Sequence, residues 1–174
     1  MRLTRLTVST LALGAAALAL SCGEPSTTEP GVPLSAVQVD QVGADTNLLQ
    51  CKPLASDSAS AVIGPAGGTL RASRNVLFVP PGAVREPILM SMAAPSDSVN
   101  RVEFQPQGYV FHKPVTLTMS FQNCNLSGPG MGPVRVVYTD DKLKVLEVEP
   151  SLDDWTGKRV TGLLSHFSQY AVSW

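Results

Sequence analysis

Histidine is scarce in this sequence, and its scarcity limits the chemistry that the chain can perform. Only His112 and His166 occur among 174 residues. A catalytic zinc site uses three protein ligands, and no local spacing of histidine, cysteine or carboxylate residues indicates one. The motif Gly-x-Ser-x-Gly, which marks the nucleophile of many serine hydrolases, is also missing. We therefore predict that the protein is not a conventional enzyme and that it uses no metal or other cofactor.

Helical periodicity and excess positive charge are missing as well. The most apolar stretch, from Leu6 to Leu20, is shorter than the about 20 residues that a membrane-spanning helix requires. After it, no segment repeats its apolar side chains with the helical period of 3.6 residues. Aromatic residues make up 6% of the chain and the formal net charge is −1. This charge indicates no basic surface of the kind that binds nucleic acid.

The first 21 residues have the pattern of a secretory signal peptide. Arg2 and Arg5 precede the apolar stretch, and small residues follow it as far as Ser21. Removal of residues 1–21 would leave 11 of the 13 basic side chains against 14 acidic ones, a net charge of −3. We therefore predict an exported protein that does not bind nucleic acid.

The segment Ala19-Leu20-Ser21-Cys22-Gly23 resembles the lipobox of bacterial lipoproteins. In that family the cysteine becomes the first mature residue and carries a diacylglycerol and usually a further acyl chain such as palmitate. Ala19 departs from the pattern, in which leucine is usual. The resemblance implies lipidation of Cys22 and a stable membrane anchor, since several acyl chains hold a protein at a membrane. The alternative is ordinary secretion without a lipid anchor. If Cys22 is lipidated, the residue after it is Gly23 and not aspartate, which favours the outer membrane by resemblance to the enterobacterial sorting rule.

Residues 22–50 are predicted to form a flexible tether. They are rich in proline, serine, threonine, glutamate and glycine and show no periodicity, which is typical of segments that cannot build a core. Residues 47–50 contain two leucines, which suggests that ordered structure begins just before Cys51.

With Cys22 lipidated, Cys51 and Cys124 remain as a pair. An even number of cysteines in an oxidising compartment predicts a disulfide, and two buried free thiols are the alternative. A disulfide that closes a loop of about 70 residues contributes roughly 4 kcal/mol in the chain-entropy model.

Residues 51–174 have the pattern of an all-β domain. Residues 115–122 alternate strictly between apolar and polar side chains, which predicts a strand with one buried face and one wet face. Turn-forming residues separate further predicted strands at 76–79, 88–93, 99–104, 134–139, 143–149, 160–164 and 170–174. The alternation slips between Val145 and Leu146, which predicts a β-bulge. Many short strands of this kind predict an antiparallel β-sandwich.

Four segments of this domain together resemble the ZU-five family, the β-sandwich domain of zonula occludens proteins, netrin receptors and ankyrins. The four ZU-five-like segments are Gly67-Gly68-Thr69-Leu70, Val79-Pro80-Pro81-Gly82-Ala83, residues 104–115 and His166-Phe167-Ser168-Gln169-Tyr170. The resemblance covers about residues 60–174 and implies the same fold. It does not imply spectrin binding, because the sequence contains no ankyrin repeats or death domain.

His166-Phe167-Ser168 has a specific chemical implication. In a few ZU-five members this tripeptide cuts itself: the serine hydroxyl attacks the preceding carbonyl, and water hydrolyses the resulting ester while the histidine assists proton transfer. The reaction requires a strained and correctly aimed peptide bond. We favour the alternative, in which His166 and Phe167 pack and form hydrogen bonds as structural residues.

Three functions are compatible with these patterns. The favoured one is a membrane-anchored module that binds an envelope protein or glycan, or has a structural role. The second is a self-cleaving domain, and the third is an envelope hydrolase or a carbohydrate-binding module that uses Trp155 and Trp174. Core or edge packing is the alternative role of the tryptophans. The pairs Asp140-Asp141 and Asp153-Asp154 are predicted to cap turns, with calcium binding as the alternative.

Overall fold

The computed structural model describes residues 47–127 and 131–174, and within these ranges it contains eleven β-strands and no helix. The predicted signal peptide (1–21), Cys22 and the tether as far as residue 46 lie outside the described residues. In the described part of the chain, no helix has the length and apolar character needed to cross a membrane.

The strands form two antiparallel sheets, which confirms the predicted all-β sandwich. The first sheet contains, in spatial order, β1 (Asp57–Ile63), β4 (Ile88–Ala94), β5 (Arg101–Gln105), β11 (Gln169–Ser173), β7 (Arg135–Thr139) and β8 (Val145–Val148). The second sheet contains β2 (Gly68–Ala72), β3 (Asn75–Val79), β6 (Val110–Ser120), β10 (Arg159–His166) and β9 (Ser151–Asp154). Each sheet buries one face against the other, since an amphipathic sheet must cover its apolar side.

The alternating pattern of β6 shows how the sequence builds this core. Val115, Leu117 and Met119 are fully buried, whereas Thr116 and Thr118 are half-buried on the outer face. Successive side chains of a strand point to opposite sides, so strict alternation separates a core face from a solvent face. The strand predicted at 115–122 is therefore confirmed for residues 115–120; it begins earlier, at Val110, and ends at Ser120.

Two glycines occur where a side chain would collide with backbone or core. Gly67 has φ of 79°, and a Cβ atom there would lie 2.3 Å from the carbonyl oxygen of Val79. A Cβ atom at Gly162 on β10 would lie 2.8 Å from the Cβ atom of Val136 on β7. Glycine therefore permits the tight corner before β2 and the close approach of the two sheets.

Residues 47–50 belong to the folded domain. Leu49 is fully buried, and its N–H donates to the carbonyl oxygen of Val172 at 2.9 Å. Leu48 packs on a small group of buried residues, called the outer cluster, on the outer face of the first sheet. The outer cluster consists of Val99, Val137 and Ala171. Ordered structure thus includes the residues just before Cys51.

The predicted β-bulge in residues 143–149 is confirmed. Two consecutive residues of β7 pair with Glu147 and Val145, so Leu146 lies between them without a partner. Val145 and Val148 consequently both pack against the outer cluster, while the side chain of Leu146 is 47% exposed. The extra residue restores the same face to both halves of the strand.

Three strands, β1, β2 and β9, were not predicted. Their sequences are dominated by serine, alanine, glycine and aspartate, which have low β-propensity, so their pairing with stronger strands decides their conformation. Asp153 and Asp154 lie at the end of β9, where Asp154 pairs with Arg159 of β10, and not in the predicted turn. The Oδ1 atom of Asp154 nevertheless accepts a hydrogen bond at 2.9 Å from the N–H of Gly157 in the turn that follows.

Asp140 caps a turn as predicted. Its Oδ1 atom accepts hydrogen bonds from the backbone N–H groups of Lys142 and Lys144 at 2.9 and 2.8 Å. Aspartate favours such turns because its short side chain reaches nearby amides.

The structure joins Cys51 and Cys124 in the predicted disulfide. Their Cα atoms lie 3.7 Å apart, and the two residues face each other in an isolated antiparallel bridge. The sequence separation is 73 residues, so the bond ties residues 47–52 to the segment that follows β6.

Candidate functional site

The tripeptide His166-Phe167-Ser168 lies at a corner where the chain passes from one sheet to the other. His166 is the last residue of β10 in the second sheet, and Gln169 is the first residue of β11 in the first sheet. Phe167 and Ser168 therefore form the whole connection, so the corner must turn the chain within two residues.

The side chain of Phe167 anchors this corner in the core. It is fully buried, and its ring stacks on Phe104 with centroids 4.8 Å apart. The ring of Phe111 meets it edge-on at 4.8 Å, and Tyr109 packs against Phe111 at 5.3 Å. These aromatic rings close one end of the core and provide packing energy beyond their buried area.

Hydrogen bonds hold the backbone of the corner on both sides. The N–H of Phe167 donates to the carbonyl oxygen of Tyr109 at 2.8 Å, and the carbonyl oxygen of Phe167 accepts from the N–H of Gly108 at 2.8 Å. The carbonyl oxygen of Ser168 accepts from the N–H of Phe104 at 3.0 Å. Phe167 and Ser168 both have negative φ, so the left-handed conformation that would store strain there is not used.

His166 packs between two tyrosines. Its ring centroid lies 5.1 Å from that of Tyr138 and 6.0 Å from that of Tyr170. The Nδ1 atom lies 3.3 Å from the hydroxyl of Ser165, and no hydrogen bond joins the imidazole to Ser168, which the structure also describes. The hydroxyl of Tyr170 donates to the carbonyl oxygen of His166 at 2.8 Å. The geometry favours a structural histidine over a base that activates the serine.

A buried carboxylate close to this corner was not predicted from the sequence. Glu149, which follows β8, is 5% exposed, and its N–H donates to the carbonyl oxygen of Val136 at 2.9 Å. Burial, and to a smaller extent the charge of Glu147, raises the pKa of Glu149 to about 7. Burial also raises the pKa of the Tyr170 phenol above its ordinary value, and the charge of Glu149 raises it further. Only the folded structure brings the Glu149 carboxylate close enough to the Tyr170 phenol for their charges to interact.

The two tryptophans considered for glycan binding follow strands of different sheets. The ring of Trp155, after β9, is 46% exposed and meets Phe121 edge-on at 5.7 Å. Its Nε1–H donates to Oδ2 of Asp153 at 2.8 Å. Trp174, after β11, is half-buried and packs against the main core. Trp155 thus has an exposed ring, whereas the ring of Trp174 is partly used in core packing.

The remaining polar residues considered as metal ligands do not form a metal site in the described part of the chain. In residues 47–127 and 131–174, no group of three or more histidine, cysteine, aspartate or glutamate side chains could hold a metal ion. His112 is exposed on β6, the neighbouring strand on which Val110 pairs with His166, and Cys22 lies outside the described residues.

The four ZU-five-like segments contact one another in series. Gly67 lies against the carbonyl oxygen of Val79, which joins the first segment to the second. The N–H of His112 donates to the carbonyl oxygen of Ala83 at 2.9 Å, which joins the second to the third. The Gly108 hydrogen bond described above joins the third to the fourth. A scan against protein-family models gives no match for this chain, and a search of curated proteins gives none either.

Proposed function

We propose that the protein is a membrane-anchored lipoprotein of the cell envelope whose β-sandwich is a non-catalytic binding or structural module. The pairing of the cysteines carries this proposal. Cys51 and Cys124 bond to each other, which leaves Cys22, in its lipobox-like segment, as the cysteine available for acylation. A structural disulfide is typical of exported proteins, because reducing compartments disfavour it.

We further propose a location for the protein and a family for its sandwich domain. The pattern around Gly23 supports the outer membrane, and the residues between Cys22 and residue 47 would separate the sandwich from the lipid surface. The mutual contacts of the four ZU-five-like segments support membership of the ZU-five family. The partner is proposed to be an envelope protein or glycan, recognised through the surface of the sandwich.

Metabolic labelling with an alkyne-tagged palmitate tests the anchor. We expect the native chain to be labelled and to fractionate with membranes, and Cys22→Ala to lose both properties. The double variant Cys51→Ala with Cys124→Ala is the matched control, since it retains Cys22 and should keep the label. Equal labelling of the native chain and Cys22→Ala would contradict the proposal.

Self-cleavage at Phe167-Ser168 is a second candidate, and one observation favours it. The serine hydroxyl would attack the carbonyl carbon of Phe167, and the oxygen of that carbonyl already accepts a hydrogen bond from the N–H of Gly108, a donor of the kind that stabilises an oxyanion. Because no hydrogen bond joins the imidazole of His166 to Ser168, we nevertheless expect an intact chain. Mass spectrometry under denaturing conditions decides the matter. Loss of residues 168–174 from the native protein, together with a full-length Ser168→Ala variant, would establish self-cleavage.

A further inference from the structure

A groove on the outer face of the second sheet is lined by three arginines. Arg71 lies on β2, Arg74 in the turn between β2 and β3, and Arg159 at the start of β10. The groove has a volume of about 390 Å³, which is within the range of sites that hold small ligands. Residues from separate parts of the chain thus place three positive charges around one concave surface.

The fold does not neutralise these charges. No carboxylate lines the groove, and none of the three arginines forms an ion pair within 4.0 Å among the residues that the structure describes. Arg74 donates only to the Oε1 atom of Gln122, at 3.4 Å. Two acidic residues lie next to the groove, and both accept hydrogen bonds from the backbone. Asp57 accepts from the N–H of Ser73 at 2.5 Å. Asp154, the cross-strand neighbour of Arg159, accepts from the N–H of Gly157 at 2.9 Å and forms no ion pair with the arginine.

The floor of the groove is neutral, and the row of strand residues that crosses it ends at an exposed leucine. One row of cross-strand neighbours runs across the whole sheet, from Arg71 through Val76, Thr118 and Thr161 to Leu152. Leu152 is 77% exposed at the far end of this row. The other groove residues are Ser73, Asn75, Ser120 and Gln122. The side-chain amide of Asn75 already donates to Oδ1 of Asn100 at 3.3 Å, and that of Gln122 donates to the carbonyl oxygen of Gly157 at 3.5 Å.

We propose that this groove binds a phosphate monoester, carried either by a lipid headgroup or by a soluble molecule. The planar guanidinium group presents paired donors that match phosphate oxygens, and three such groups suit a doubly charged anion better than a single carboxylate. The apolar end of the row gives the chain of a lipid a surface to lie on. The inference goes beyond the proposed function, because a phosphate monoester is a ligand of a different class from an envelope protein or glycan, and it does not depend on acylation of Cys22.

Isothermal titration calorimetry of the full chain in a non-ionic detergent tests the groove with two matched probes. Glycerol 1-phosphate and dihexanoyl phosphatidic acid carry the same phosphate monoester, and only the second carries acyl chains. We expect Arg71→Gln and Arg159→Gln each to weaken binding about tenfold, since each removes a charge-assisted hydrogen bond. Arg135→Gln, at an exposed arginine of β7 in the other sheet, is the matched control and should bind as the native chain does.

The outcomes separate the two sources of phosphate. Arginine-dependent binding of the lipid alone identifies a headgroup site, and comparable binding of both probes identifies a site for soluble phosphate esters. Absence of binding by both probes, or an equal loss in Arg135→Gln, overturns the proposal. Circular dichroism of each variant verifies that it is folded. Fatty-acid labelling of Cys22 is a separate measurement, so a failure of phosphate binding leaves the result on anchoring unchanged.

Discussion

The outer faces of the two sheets differ in how their arginines are partnered. On the first sheet, the Nε atom of Arg101 donates to Oδ2 of Asp97 at 2.8 Å, and its Nη1 atom bonds to Glu103 and Gln169. The hydrogen bond from Arg101 lowers the pKa of Asp97 below its ordinary value. On the second sheet, none of the three groove arginines forms an ion pair with a carboxylate of the described residues. The charge of an arginine is thus paired with carboxylates on the first sheet, whereas the charges of the groove arginines on the second sheet have no ion-pair partner.

The two faces also differ in how their apolar side chains are covered. Residues 47–50 lie beside the β11 and β7 part of the first sheet, where Leu48 packs on the outer cluster. Leu152 on the second sheet is 77% exposed, and nothing in the described chain covers it. The β1 edge of the first sheet remains open too, since Val62 and Leu89 are 67% and 64% exposed. The covered part of the first sheet therefore depends on a short segment held by the disulfide.

Among the changes that test this comparison, loss of the disulfide should lower the stability of the protein most. We expect Cys51→Ala with Cys124→Ala to lower the free energy of unfolding by about 4 kcal/mol, because the unfolded chain regains the entropy of a long loop. Urea denaturation under non-reducing conditions measures the change. The native protein in dithiothreitol should behave as the double variant does, and a loss below about 1 kcal/mol would show that residues 47–52 need no covalent attachment.

Two neighbouring leucines allow the packing of the main core to be compared with the packing of the outer cluster. Leu49→Ala should cost about 3 kcal/mol, because it opens a cavity at a fully buried position. Leu48 is half-buried on the outer cluster, so Leu48→Ala should cost about 1 kcal/mol. Urea denaturation of both variants provides the comparison. Equal losses would mean that the outer cluster is as tightly packed as the main core.

Glu149 extends the comparison to a carboxylate that has neither a positive partner nor free access to water. Its pKa is raised from 4.5 to about 7 in the folded protein, so the folded state holds its proton more strongly than the unfolded state. Stability should therefore be fullest below pH 4.5 as far as this group is concerned and should fall as the pH rises towards about 7. We expect Glu149→Gln to remove this slope and to gain about 2 kcal/mol at pH 8.

Thermal denaturation from pH 4 to 8 measures the effect of Glu149, and Glu147→Gln is the control. Glu147 is exposed and contributes less to the raised pKa, so its replacement should flatten the slope only slightly. A Glu149→Gln variant with the native pH dependence would show that this carboxylate is hydrated in the folded state.

The smallest predicted effect contrasts a paired arginine with an unpaired one. Arg101→Gln should cost about 1 kcal/mol, since it leaves Asp97 and Glu103 without their cation in a partly exposed network. Arg159→Gln should change stability by less than about 0.5 kcal/mol, because no ion pair is lost. Chemical denaturation in low salt measures both. A comparable loss for the two variants would mean that Arg159 has a structural role that its contacts do not reveal.

The predictions from sequence succeeded where the information was local. Strict alternation in β6 and the slip between Val145 and Leu146 each follow from the period of a strand, and the structure confirms both the buried face and the bulge. Strands β1, β2 and β9 were missed because serine, glycine and aspartate carry little strand signal of their own. Pairing with strands distant in the sequence, such as β9 with β10, supplies what their composition lacks.

The site predictions had the same limit. The tripeptide at residues 166–168 could be recognised from its residue types. Only the fold shows that the N–H of Gly108 donates to the carbonyl oxygen of Phe167 and that no hydrogen bond joins His166 to Ser168. The arginine groove gave no sequence signal, because its members come from β2, the turn after it and β10.

The sequence by itself determined the all-β class, the pair of cysteines that bond to each other and the side of β6 that faces the core. The class and the buried side of β6 depend on residue type and on spacing within one segment, and the disulfide depends on the number of cysteines. The tertiary structure alone decided which arginines are neutralised, that Glu149 holds its proton near neutral pH and that residues 47–50 cover part of one sheet. Charge and burial depend on neighbours in space, and in an antiparallel sandwich those neighbours come from strands that lie far apart in the chain.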